Sequence, residues 1–255
     1  DLLSSAPGTL QSRNIPSRCI GAGEIVGRRW AIALVHGIPA VISTMDELAR
    51  EICPGVEVFN MLHEGLFLEL SRGQVNPSLV RRFCSLIVEA EASGACLVLV
   101  TGSTFSPFVD VARKLVSIPV IKIDEAMAEE AVKVGSTIGL VATEEATVRP
   151  SSDLILRKAG EQQKQIEIIV ATIPEARRFL RLGQVAKHDE LILQQVRSLA
   201  TRVDSIVLAQ ASMASALAEA KKAASVPVWA SPELALRQVR QTLVDAGWQG
   251  DASED

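Results

Sequence analysis

Apolar residues in this chain gather in short, β-branched runs that end in small or polar residues. Each run is followed by a longer stretch whose apolar positions fall three and four apart. The runs cover residues 31–35, 56–60, 96–100, 120–123, 137–141, 166–171, 205–208 and 226–229. Between them, residues 78–93 put Leu79, Phe83, Leu86, Ile87 and Ala90 on one helical face, and residues 125–134, 188–202 and 232–246 read as helices in the same way. Strands that alternate with helices of this length make parallel βαβ units. Composition sharpens the picture: only 4% of residues are aromatic and Tyr is absent, so Val, Leu, Ile and Ala must fill the core, as in parallel sheets covered by helices on both faces.

The pattern also repeats. AIALVHGIP at 31–39 aligns with TIGLVATEE at 137–145, ACLVLVTGSTF at 95–105 with DSIVLAQASMA at 204–214, and SIPVIKIDEAMAEEAV at 117–132 with SVPVWASPELALRQV at 225–239. Three matched landmarks in one order indicate an internal duplication. The predicted fold class is therefore α/β: two pseudo-symmetric, doubly wound parallel-sheet lobes with the site in the cleft between the carboxyl ends of their strands. Residues 29–120 plus 225–250 are expected to form the first lobe and 121–224 the second, behind a flexible extension at 1–28. The cleft loops are then residues 36–39, 101–104, 124–125, 143–147, 210–213 and 231–233.

Charge and cysteine usage narrow the function classes. A net charge of −4 gives no electrostatic reason for nucleic acid or an anionic membrane as partner. No apolar run approaches the roughly 18 residues that span a bilayer. A small molecule is the expected partner, with a homo-oligomer left open. Cys19, Cys53, Cys84 and Cys96 show neither CxxC spacing nor the density of a secreted disulfide scaffold, and read as thiols of a reducing compartment. A cytoplasmic location is expected, while Arg13, Arg18 and the serines of residues 1–28 keep organelle import open. No glycine pattern of a dinucleotide or triphosphate loop occurs, and three dispersed histidines lack companion thiolates for zinc, so neither a nucleotide nor a metal is expected.

The run VLVTGSTFSPFVDVARKLVSIPVIKIDEAMAEEAVKVGSTIGLVATEEATVRP, followed later by IVLAQASMA, resembles the aspartate/glutamate/hydantoin racemase superfamily. The resemblance runs from about residue 30 to about residue 247 and is densest over 96–150. It implies two pseudo-symmetric lobes, no cofactor, and a small carboxylate or hydantoin-like substrate in the cleft. It also implies two cysteines, one at the end of the second strand of each half, which remove and return a proton on opposite faces of a carbon beside a carbonyl or carboxyl group. A thiolate can do this in a polar, partly closed site that lowers its pKa. Gly102 and Ala211 stand at the two expected positions, and neither carries an acid or a base. Cys96 cannot substitute, because it precedes Gly102 by six residues, roughly 20 Å of extended strand. Cys84 falls in a predicted helix, Cys53 before Pro54, and Cys19 in the extension.

The resemblance leaves a cradle for a carboxylate. Thr101, Ser103 and Thr104 follow one strand, Thr143 another, and Gln210 and Ser212 a third; all are candidate substrate-binding residues, and the helix N-termini behind them attract anions. Thr147 reads as a helix cap. His36, at the exit of the first strand, is a candidate general base. His63 and Glu64 are within reach of the cleft rim, and His188 is expected on the surface at a helix start. Lys122 reads as a strand-edge lysine whose head snorkels to water, and Asp124 as a helix-start acid, with the role of Glu144 left open. The expected function is a cofactor-independent racemase- or isomerase-like enzyme acting next to the carboxylate or carbonyl of an amino acid, a hydantoin or a 2-substituted acid. Two alternatives stand beside it. A glycine at the first site resembles the arylmalonate decarboxylases of the same superfamily, which keep a cysteine proton donor at the second site, where Ala211 stands here and cannot donate. A non-catalytic carboxylate-binding protein would retain the cleft without the thiols.

Overall fold

Each of the eight apolar runs forms a strand in the computed structural model, which describes residues 30–250; the expectations for residues 1–28, Cys19 included, lie outside the described residues. Strands β1 (Ala31–His36), β2 (Glu57–Leu62), β3 (Leu97–Val100) and β4 (Val120–Lys122) make one parallel sheet in the order β2-β1-β3-β4. Strands β5 (Thr137–Ala142), β6 (Glu167–Thr172), β7 (Ser205–Leu208) and β8 (Val228–Ala230) make the second in the same order, β6-β5-β7-β8. The predicted bounds move by one or two residues at most strands. The central strands β1, β3 and β7 are buried on both faces, whereas the edge strands β2 and β6 each expose three of their six residues and bury none fully. Continuous apolar sequence in the former and mixed sequence in the latter follow from that placement.

Helices cover both faces of each sheet. Side chains alternate across a strand, so Ala33, Val35, Val98 and Val100 meet Phe83 and Ile87 of α3 (Pro77–Ala92) and Val109 of α4 (Ser106–Ala112). The opposite face, with Ile32, Leu34, Leu97 and Leu99, meets Met45 of α1 (Ile42–Ile52) and Leu236, Val239 and Leu243 of α10 (Ser231–Asp245). In the second sheet, Ile206 and Leu208 pack against α8 (Val185–Leu199) and α9 (Leu217–Ala223), while Ile138, Leu140 and Val207 pack against α5 (Glu125–Val134) and α6 (Glu145–Glu161). Two short helices, α2 (Glu64–Ser71) and α7 (Pro174–Arg181), follow the edge strands. Asn76 caps α3 by accepting from the Leu79 N–H at 2.9 Å, ahead of Pro77 at its first turn. His63 caps α2 by accepting from the Leu66 N–H at 3.3 Å, so its ring serves that helix end.

The two halves exchange helices. α5 follows β4 of the first sheet but packs beside β7 and β8 of the second, and α10 follows β8 of the second sheet but covers the first. The expected lobe boundaries at 120/121 and 224/225 therefore shift. β4 extends the first sheet to Lys122, and β8, expected in the first lobe, pairs with β7 in the second. The chain crosses between lobes after each of these strands, so strand and helix part company there.

Two further expectations are corrected. α8 begins three residues before His188, which puts His188 on the inner face with Ile192 and Val196; it is fully buried, with Nδ1 2.7 Å from Asp189 Oδ1. Lys122 does not reach water but is buried, its Nζ donating to Asp110 Oδ2 at 2.8 Å. Asp124 stands at the N-cap of α5, the helix start expected of it, but makes no side-chain cap bond there and accepts from Ser106 Oγ at 2.8 Å. Burial pushes the Asp124 carboxyl up to about 6, against the hydrogen bond from Ser106.

Candidate active site

β3 and β7 each end in a 3-10 turn, Ser103–Phe105 in the first lobe and Ala211–Ala216 in the second. The two turns meet. Ser103 Oγ donates to the Ala209 carbonyl at 3.0 Å across the lobes, and Ala211 packs within the apolar cluster of the first lobe. A pocket forms there, lined by Thr101, Gly102, Ser103 and Thr104 after β3, by Gln210, Ala211 and Ser212 after β7, by Glu144 and Thr147 after β5, and by Gly37, Ile38, Val41 and Phe67 on the first-lobe side. The predicted groups Gly102, Ala211, Thr101, Ser103, Thr104, Gln210 and Ser212 thus converge. His36 and Thr143 are buried outside this lining.

Strand register corrects how the halves correspond. Ile32 and Ile138 match in the repeat; Ile32 pairs with Leu97, and Ile138 with Ser205. Counting onward, Gly102 corresponds to Gln210, Ser103 to Ala211 and Thr104 to Ser212. The hydrogen bonds agree: the Thr101 N–H donates to Val35 O and the Ala209 N–H to Val141 O, both at 2.9 Å, and each turn closes from Phe105 to Gly102 and from Met213 to Gln210. The second-lobe counterpart of Gly102 therefore moves from Ala211, where residue similarity placed it, to Gln210.

Gly102 has φ −113° and ψ 113°, which any residue adopts, yet the space beside it is taken. A Cβ there would lie 3.0 Å from Phe105 Cδ2, and one at Gly37 would lie 2.9 Å from Phe105 Cε2. Phe105 is buried and stacked on Phe83 at 5.3 Å between ring centroids. The space beside Gly102 and Gly37 is thus apolar and filled.

The polar groups sort into those already engaged and those left over. His36 Nδ1 lies 2.8 Å from Thr101 Oγ1 and Nε2 2.7 Å from Asn60 Oδ1, and burial lowers the ring's pKa against the pull of Asn60 and Asp46. With both nitrogens engaged, His36 positions Thr101 and is not the free base anticipated. Thr143 contributes its backbone N–H, donated to Gln210 Oε1 at 3.0 Å. Three buried atoms in the pocket residues have no hydrogen-bond partner among the described residues: Thr104 Oγ1, Gln210 Nε2 and Glu144 Oε2. Two are donors and one is a carboxylate oxygen.

Thr147 and Glu144 were the residues that sequence reasoning undervalued. Thr147 is no cap: it lies inside the first turn of α6 and lines the pocket. Glu144 precedes α6 without a side-chain cap bond, and its Oε1 pairs with Arg177 Nε of α7 at 2.8 Å. Burial raises the Glu144 pKa, opposed by Arg177 and Arg181. The Arg177 guanidinium also sits 5.6 Å from the centroid of the Phe67 ring, across the lobes. Cys53, Cys84 and Cys96 are buried away from the pocket lining, and burial raises the Cys53 thiol to about 11 and that of Cys84 in the same direction. Among the described residues no group of three or more His, Cys, Asp or Glu could hold a metal ion, and no helix is long and apolar enough to cross a membrane.

The sequence model of the Asp/Glu/hydantoin racemase family matches residues 38–239. A glutamate racemase from Bacillus anthracis superposes with a TM-score of 0.68 at 18% identity, over 88% of this chain and 84% of its own. The aspartate racemase of Picrophilus torridus gives 0.66 at 14% identity over 86% and 94%. An allantoin racemase from Klebsiella pneumoniae gives 0.59 at 18% identity over 86% and 89%. At these identities the likeness is one of fold. None of the curated proteins compared with the chain matches it.

Proposed function

The chain belongs to the Asp/Glu/hydantoin racemase family, and from that premise we propose that it is a cofactor-independent enzyme that moves a proton on the carbon beside the carboxylate or carbonyl of a small substrate held between the lobes. One observation carries this reading: Thr104 Oγ1 and Gln210 Nε2, one from each lobe, are buried in the pocket residues without partners among the described residues. Leaving a buried donor unpaired costs about 1–3 kcal/mol, and a substrate carboxylate or carbonyl removes that penalty for both at once. When the neighbouring carbon loses its proton, negative charge grows on those oxygens. Donors fixed in a water-poor site stabilise it without reorganising.

The test is α-proton exchange in D₂O, followed by proton NMR, with a panel of amino acids, 5-substituted hydantoins and 2-substituted carboxylic acids. Catalysed loss of the α-proton signal from at least one member is expected, and Thr104→Val should slow it about 100-fold, the usual effect of removing one oxyanion donor. No exchange with any member would refute the reading. A second reading draws on the apolar wall of Ile38, Val41 and Phe67 beside Gly102: such a wall suits an aryl or alkyl substituent, as in decarboxylation of a disubstituted malonate, and CO₂ release from a phenylmalonate would favour it. Saturable binding of carboxylates without exchange or CO₂ would make the protein a carboxylate binder.

A further inference from the structure

The paired strand-end residues Gly102 and Gln210 offer no base, and Phe105 fills the space where a side chain at Gly102 would go. Among the residues lining the pocket, Glu144 alone is ionisable. Its two oxygens differ: Oε1 is held by Arg177 Nε at 2.8 Å, while Oε2 is buried with no partner among the described residues. An ion pair at one oxygen fixes the carboxylate's orientation and leaves the other to take a proton. We infer that Glu144 is the catalytic acid/base of this site and that it works on one face of the substrate carbon only.

This inference rests on the proton-transfer reading above and narrows it. The C–H bond beside the carboxyl group breaks, the proton passes to Glu144 Oε2, and the electron pair delocalises onto the substrate oxygens, which accept hydrogen bonds from Thr104 and Gln210. Glu144 then returns a proton, or in D₂O a deuteron after solvent exchange, to the face it came from. No base stands on the first-lobe side to deliver it to the other face: the lining there is apolar apart from the hydroxyls of Thr101, Ser103 and Thr104, of which the first two donate to the carbonyls of Val35 and Ala209 and the third to the substrate oxygen. Exchange therefore proceeds with retention of configuration. Two bases, one per lobe, would instead invert the centre at each turnover.

The experiment incubates each enantiomer of the exchanging substrates separately in D₂O with the full chain, following deuterium incorporation by NMR and configuration by chiral chromatography. One enantiomer should exchange with retention at least about 100-fold faster than it racemises, and Glu144→Gln should slow that exchange about 100-fold or more, within the range of general acid–base catalysis. Inversion as fast as exchange overturns the inference and leaves the proton-transfer reading standing. So does exchange undiminished in Glu144→Gln. Absence of exchange from every substrate removes both. The stereochemical readout uses the unaltered protein, so it stands even if Glu144→Gln folds poorly.

Discussion

A side chain placed at Gly102 should be expensive, and the expense should belong to Phe105. The new Cβ would sit 3.0 Å from Phe105 Cδ2 and 3.4 Å from Cε2, whereas carbon pairs prefer about 3.5–4.0 Å. The ring must retreat by a few tenths of an ångström, and it is 1% exposed with Phe83 stacked behind it. Overpacking of this kind costs about 1–3 kcal/mol. Relief of the glycine's unfolded-state entropy returns about 0.4–1 kcal/mol, so Gly102→Ala should lose about 1–2 kcal/mol in urea unfolding. Phe105→Leu will itself destabilise by opening the core, but in that background Gly102→Ala should cost nothing further. The double-mutant cycle thus has a coupling of about 1 kcal/mol or more. Additive losses would show that Phe105 is not what excludes a side chain. The consequence for chemistry is direct: Gly102→Cys alone should give little racemisation of either enantiomer, while Gly102→Cys with Phe105→Leu makes room for a base on the first-lobe face.

Asp124 should make the protein less stable as pH rises. Its folded pKa is raised by burial from 3.8 to about 6, so the native state holds a proton the unfolded chain releases. That contribution is complete below the unfolded value and is lost as pH rises through about 6. The shift corresponds to roughly 3 kcal/mol, and Asp124→Asn should gain stability over wild type at about pH 8 but much less at about pH 4; parallel curves for the two proteins would contradict this. Arg177→Gln removes the cation that opposes the rise in the Glu144 pKa, so the acidic limb of the exchange rate against pH should move to higher pH. An unmoved limb would mean that another group titrates there. Leu236→Ala in α10 opens a cavity against the first sheet and should cost about 2–5 kcal/mol. Because α10 also packs on α5 of the other lobe, a single urea transition monitored by Trp fluorescence is expected in wild type and variant. Two transitions would mean that the exchanged helices do not couple the lobes.

Much of the fold is written in local chemistry. The strand runs are legible because central parallel strands must be apolar on both faces, and the repeat because both halves solve the same packing problem. The point of failure is the helix exchange. A helix such as α10 carries an apolar stripe that would fit either sheet equally well by hydropathy, so nothing in residues 225–246 tells which lobe covers it. Strand pairing carries more information: β8 must extend a sheet whose edge is β7, and only three dimensions reveal that the chain crosses after β8 and not before it. His188 failed for a smaller reason of the same kind, since a helix start misplaced by three residues turns an inner face outward.

The site was legible as a place but not as a mechanism. Strand ends rich in Ser and Thr mark the cleft loops, and there Thr104 and Gln210 carry buried donors with no partner among the described residues. Residue similarity then misled by one position: Ser103 and Ser212 look like counterparts, but backbone register pairs Ser212 with Thr104, and Ser103 uses its hydroxyl to bond the Ala209 carbonyl across the cleft. Glu144 is the harder lesson. In sequence it is one of two adjacent acids at a helix start, where acids are common for reasons of dipole alone. What separates it from Glu145 is that its carboxylate is turned inward, with one oxygen held by Arg177, which lies 33 residues further along the chain, and the other buried without a partner among the described residues. Neither relation has a sequence signature. A site of this family that has no cysteine at either strand end can still keep one proton-transfer group, and the difference between one such group and two is a difference in stereochemistry, which exchange with retention or with inversion reads directly.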